Sequence, residues 1–180
     1  MSTTSLVALL RGVNVGGKRS LPMAALREVC EEIGWTGVRT WIQSGNVVFR
    51  APSAPTATLE QALQDALMAR CSLDVPVVVR TAEELAQAVA NNPFLPETDP
   101  ELLHVGFLQG WPTAAAVASL DPERSPPDEF AVVGRELYLK LPNGMARTKL
   151  TSAWLDRRLG TVVTARNWRS VLALAELVSA

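Results

Sequence analysis

Leu6-Val-Ala-Leu-Leu-Arg-Gly-Val-Asn-Val-Gly-Gly-Lys18 joins an apolar run to a glycine loop that carries Arg11, Asn14, Gly17 and Lys18. The run reads as a strand, and glycines leave backbone N–H groups exposed, so such loops can hold anions. Downstream, the spacing of Leu26, Val29, Cys30 and Ile33 predicts a helix from about Pro22 to Ile33, with Pro22 in its first turn and Gly34 as its C-terminal cap. Val38 to Ile42 and Asn46 to Arg50 read as two strands of a hairpin that turns at Gln43-Ser44-Gly45. A helix from about Leu59 to Arg70, opened by a capping box of Thr58 and Gln61, and a strand from Val75 to Arg80 complete the series. The order is βαββαβ, the ferredoxin-like unit.

That order has a geometric consequence. A right-handed split βαβ makes the first two strands parallel, with the third antiparallel between them. The glycine loop and the Ser44-Gly45-Asn46 turn then meet at one sheet edge, although about thirty residues separate them. The strands are also apolar on both sides: Leu6, Ala8 and Leu10 alternate with Val7 and Leu9, and Val77 to Val79 is continuous. A sheet with one wet face would alternate, so the C-terminal half of the chain or another subunit must cover the second face. This argues against an open RNA-recognition sheet, which would also display aromatics on its first and third strands.

Beyond Arg80, Thr81 and Glu84 form a second capping box, and a proline-punctuated connector runs from Asn91 to Pro100. The remainder reads as a strand from His104 to Gln109, a short helix after Pro112, and a hairpin of Phe130–Val133 and Glu136–Leu141 turning at Gly134-Arg135. Helices over 151–159 and 168–178 follow, with a short strand at Val162 to Thr164 between them. No internal repeat is evident. The expected fold class is α+β, with a ferredoxin-like subdomain over 1–92 packed with a second, smaller α+β subdomain over 93–180 that includes the C-terminal helices.

The 180 residues are 48% hydrophobic, enough to bury a substantial core. No apolar run reaches the roughly 18 to 20 residues of a membrane span, and the N-terminal run is too short for a signal-peptide core, which implies a cytoplasmic protein and no membrane partner. Cys30 and Cys71 show no metal or disulfide spacing and read as buried free thiols, and no metal-ligating cluster appears. Net charge is −1, but unevenly distributed: residues 11–50 hold six basic and three acidic side chains, 51–130 three and twelve, and 135–169 eight and two. These surfaces either pair with one another or offer phosphates a basic surface.

Gly12 to Lys18 satisfies the first seven positions of the P-loop pattern, but Arg19 stands where a magnesium-binding hydroxyl belongs, and an antiparallel sheet is the wrong scaffold. The alternative is a structural turn that needs positive φ. Ser44 and Asn46 are candidate hydrogen-bonding groups, or merely a hairpin turn. Arg147 and Lys149, and Arg166 with Asn167, lie just before two helix starts, where cations oppose the dipole and are relieved by an anion or by an acidic side chain. Trp154 and Trp168 sit at core spacing. His104 is the only histidine and lies in an apolar strand, and no catalytic set is legible.

LLRGVNVGGK near the start, RTWIQSGNVVF over 39–49 and TARNW over 164–168 resemble the signature segments of the bacterial family of domain of unknown function 1697. The resemblance implies a two-subdomain α+β protein with a ferredoxin-like N-terminal half; it supplies no activity and no cofactor. The residues together predict a groove for phosphate-bearing ligands, RNA first, formed by Arg11, Asn14, Gly17, Lys18, Ser44, Asn46, Arg147, Lys149, Arg166 and Asn167. A small phosphorylated metabolite bound by an enzyme or sensor is the second expectation, and a protein-interaction module with purely structural loops the third.

Overall fold

In the structure, a computed structural model that describes residues 2–96 and 99–180, strand β1 (Thr3–Leu10) leads through the glycine loop into α1 (Met23–Glu32). Strands β2 (Thr36–Thr40) and β3 (Asn46–Pro52), α2 (Thr56–Cys71), β4 (Val77–Thr81) and α3 (Ala82–Ala90) follow. The four strands form one antiparallel sheet in the order β2-β3-β1-β4, the expected ferredoxin-like arrangement. On one face, Leu6, Ala8, Leu10, Val47, Phe49, Val77 and Val79 pack with Leu26 and Val29 of α1 and Leu63 and Leu67 of α2. Val7, Leu9, Val48 and Val78, on the other face, are buried as well.

Local chemistry sets the element ends. Pro22 caps α1 from outside the helix instead of occupying its first turn. At the other end, Gly34 N donates to Glu31 O and Trp35 N to Cys30 O, the paired bonds of a Schellman motif with Gly34 at φ +91°. Helix α2 starts at Thr56 after Pro55 with no side-chain cap, so Thr58 is inside the helix and its expected capping box with Gln61 does not form. The box at the start of α3 does form: Thr81 N donates to Glu84 Oε2 at 2.9 Å and Glu84 N to Thr81 Oγ1 at 3.1 Å. Glu60 and Gln64 of α2 accept from Val79 N and Val77 N, which satisfies donors on the outer edge of β4.

The second half contains a one-turn helix (Pro100–Leu102), β5 (Leu103–Leu108), α4 (Ala114–Ala118), β6 (Glu129–Val133), β7 (Glu136–Lys140), α5 (Ser152–Leu159), β8 (Val163–Asn167) and α6 (Trp168–Ser179). Its sheet order, β6-β7-β5-β8, is the order of the first sheet again. Both halves are βαββαβα, a repeat of topology that the amino-acid pattern does not disclose. The bonds correspond as well. Leu10 N→Gly45 O matches Leu108 N→Arg135 O, and Arg11 N→Pro76 O matches Gln109 N→Val162 O. Val7 opposite Arg80 matches Val105 opposite Arg166. Strand β8 runs to Asn167, three residues past the expected Thr164, because polar Arg166 and Asn167 still pair with β5.

The chain divides into two compact units, Met1–Ala86 with Ala173–Ala180, and Gln87–Leu172. The expected division fell at 92/93. The observed one differs because it cuts within α3 and because the end of α6 belongs with the first unit.

Candidate functional site

The end of β1 and the β2–β3 turn meet as the topology requires. Leu10 N donates to Gly45 O at 2.9 Å, and Asn14 Nδ2 donates to Gln43 O at 2.8 Å across 29 residues of sequence. Asn14 also donates to Leu21 O and accepts from Leu21 N, both at 2.8 Å, so its side chain braces both ends of the loop. Gly45 is required at this junction: with φ +77°, a Cβ there would lie 2.6 Å from Val13 Cγ2 and 2.8 Å from Leu10 Cβ.

Between these anchors the glycine loop is a miniature hairpin. Asn14 N donates to Arg19 O and Lys18 N to Val15 O, each at 3.1 Å. Gly16 and Gly17 have φ +59° and +71°, the two positive values of a type I′ turn. The glycines therefore first serve the turn, and α1 begins five residues after Lys18, unlike a P-loop helix. The tip nevertheless has binding chemistry. The N–H groups of Gly16 and Gly17 make no hydrogen bond among the described residues. Lys18 and Arg19 are exposed, with Arg11 partly so. Arg19 folds back until its Nη1 lies 3.6 Å from where a Cβ on Gly12 would stand. Ser44 is exposed in the turn that Asn14 holds at the base of the loop, whereas Asn46 is wholly buried and donates to Trp41 O at 3.2 Å. Partly exposed Trp41 and exposed Ile42 flank the same turn; they belong to the quoted RTWIQSGNVVF segment but were not distinguished from core residues by spacing.

The remaining candidates lie in the second unit. Arg147 and Lys149 are exposed on the loop before α5. That loop is tied down by Lys149 N donating to Ser125 Oγ at 2.9 Å, and Thr151 caps the helix by accepting from Trp154 N. Asn167 accepts from Ser170 N at 2.8 Å and so caps α6. Arg166, the strand neighbour of Asn167, sides with Val105; its Nη1 donates to Ala165 O at 2.9 Å, and burial pushes its pKa down to about 10, which leaves it charged at neutral pH. Arg169 in the first turn of α6 reaches Glu101 at 3.5 Å, so an acidic side chain supplies relief at this helix start. Trp154 and Trp168 are both buried. Arg124 and Arg158 lie over the Trp154 ring at 5.1 and 5.9 Å.

His104 lines a 250 Å³ pocket with Pro100, Glu101, Asn167 and Arg169. Burial lowers its pKa, against a smaller opposing effect of the Leu102 backbone, so the imidazole is neutral at neutral pH. Cys30 and Cys71 are free thiols, the first buried and the second partly so. No helix is long and apolar enough to cross a membrane among the described residues.

The fold is an α+β arrangement built on two antiparallel four-stranded sheets. The chain belongs to the family described as Protein of unknown function (DUF1697), which matches residues 3–138. Among solved structures it is similar to the conserved bacterial protein SP0830 from Streptococcus pneumoniae, with a TM-score of 0.74 and 22% identity over 98% of this chain and 99% of that one. No curated protein matches.

Proposed function

We propose that the protein is a cytoplasmic binder of phosphodiester backbone, with RNA as the lead ligand, and that the contact is made by the 11–20 hairpin with the adjoining 43–45 turn. The observation that carries this reading is the hairpin tip, where two glycine N–H groups outside the internal hydrogen bonding adjoin Lys18 and Arg19 on an exposed surface. Backbone donors with flanking cations suit phosphate oxygens, and exposure suits an extended polyanion better than an enclosed metabolite. Asn14 and Gly45 hold this surface in place, and Ser44 adds a hydroxyl at its margin. Asn46, which is buried, and Arg166, which is partly exposed but donates to the neighbouring Ala165 carbonyl, serve the scaffold in this reading.

Fluorescence anisotropy with a labelled single-stranded 12-nucleotide RNA tests it. Contacts from Arg11, Lys18 and Arg19 give a log–log salt slope near −2, so affinity falls roughly fifteen-fold between 50 and 200 mM salt. Lys18→Ala reduces that slope by about 0.7. Binding that is flat with salt, or a slope unchanged by Lys18→Ala and Arg19→Ala, overturns the reading. Saturable thermal stabilisation by one phosphorylated compound, without RNA binding, would establish the metabolite reading instead.

A further inference from the structure

The topological repeat assigns the 43–46 turn and glycine-loop region of the first unit a counterpart in the second, at Gln109-Gly110-Trp111 and the Gly134-Arg135 turn. The counterpart has different chemistry. Trp111 is 74% exposed, the most exposed of the large hydrophobic side chains among the described residues. The backbone on either side of it is anchored. Gln109 N donates to Val162 O at 2.9 Å and Gly110 N to Thr161 Oγ1 at 2.8 Å, while Pro112 restricts the Trp111 backbone from the other side. The indole is seated against the hairpin turn, with Cζ3 3.5 Å from where a Cβ on Gly134 would stand. The Arg135 guanidinium lies 5.4 Å from the ring centroid, and its Nη1 donates to Gln109 O at 3.3 Å.

Folding alone does not reward this arrangement. An indole left in water forgoes the burial that makes tryptophan stabilising, while the anchored backbone beside it narrows the positions the ring can take. An exposed aromatic on an anchored backbone, with a guanidinium near its ring, is an arrangement on which a nucleobase can stack.

We infer that Trp111, backed by Arg135, is a stacking platform for an unpaired nucleobase, a second contact point for single-stranded nucleic acid. This rests on the phosphodiester-binding reading above but adds base dependence, which the glycine loop does not supply. The test compares a labelled single-stranded 12-nucleotide RNA with inorganic polyphosphate, which carries charge but no bases, against the wild-type chain and Trp111→Ala, Trp111→Phe and Lys18→Ala. Trp111→Ala should weaken RNA binding roughly five- to hundred-fold, leave polyphosphate binding and the salt slope unchanged, and melt at the wild-type temperature because little is buried. Trp111→Phe should restore most of the affinity. Equal loss for RNA and polyphosphate, or no loss for RNA, overturns the platform, as does self-association that Trp111→Ala abolishes without changing RNA affinity. The two readings separate cleanly. A Lys18 effect without a Trp111 effect removes only the platform, a Trp111 effect without a Lys18 effect removes only the glycine-loop contact, and binding of neither polyanion removes both.

Discussion

Gly45→Ala should be among the most damaging single-methyl changes in the first unit. The added Cβ meets two obstacles at once. It would stand 2.6 Å from Val13 Cγ2 and 2.8 Å from Leu10 Cβ, atoms of buried residues that have little room to retreat. Overpacking of this kind costs about 1–3 kcal/mol. The φ of +77° adds the left-handed penalty of an L-residue, about 1–2 kcal/mol. Together these give about 2–5 kcal/mol, a large part of the ~5–15 kcal/mol that holds a protein folded. Gly16→Ala is the control: its φ is +59°, but nothing lies within 4 Å of the new methyl, so only the conformational penalty applies. In a thermal melt of a 180-residue chain, Gly45→Ala should lower Tm by roughly 4–20 °C and Gly16→Ala by roughly 2–8 °C, with Gly45→Ala the lower-melting of the two. Equal melting of the two variants would refute the steric argument. It would also remove the reason for treating the loop-and-turn junction as rigid.

Three other outcomes follow from the same geometry. Asn14→Ala removes the brace to Leu21 and Gln43, and with it about 1–3 kcal/mol; trypsin should then cut after Lys18 and Arg19 much faster than in the wild type, as followed by mass spectrometry. Cys30, pushed up to about 12 by burial first and Glu31 second, keeps its proton in the folded state above the pH at which the unfolded thiol ionises. Stability from this group is therefore complete below pH ~9 and is lost as pH rises toward ~12, at about 1.4 kcal/mol per unit, and Cys30→Ala should flatten that alkaline limb in urea titrations. At pH 8 iodoacetamide should alkylate partly exposed Cys71 well before buried Cys30, a ranking that peptide mapping reads directly.

The sequence disclosed the first unit well because its signals are local and strong: a both-faces-apolar β1, a period-3.6 α1 and glycines that punctuate the turns. The meeting of the glycine loop with the 43–46 turn was legible for the same reason, since it follows from strand order alone. The side-chain roles were not. Asn14 and Asn46 look equally available in sequence, yet one braces an exposed loop and the other is buried beneath its turn. Only the three-dimensional path of the backbone decides which amide finds internal partners. Proline-led α2 escaped the capping rule because Pro55 can begin a helix without a side-chain acceptor. The repeat of topology was hidden because it is kept by backbone pairing, which different side chains support equally well, while α4 has only five residues against ten in α1.

Two copies of one topology within a chain act as each other's comparison. What they share is scaffold: the bond closing the first strand on its hairpin turn, the arginine of the fourth strand donating to the preceding carbonyl, and a side chain from the second helix accepting from the N–H at the start of that strand. Arg80 and Arg166 make the second of these contacts at 3.0 and 2.9 Å, and Gln64 and Asp156 the third, to Val77 and Val163. Features retained in both units under different side-chain surroundings are accounted for by the fold, which is why Arg166 carries less functional weight here than its charge suggests. Features confined to one unit need another explanation. Among the described residues, the Gly16-Gly17-Lys18-Arg19 tip after the first strand belongs to the first unit and the exposed Trp111 to the second, at equivalent ends of equivalent sheets. One supplies charge without an aromatic of comparable exposure, and the other supplies the aromatic surface, so the phosphate contact and the base contact proposed above rest on different residues and fail or stand independently.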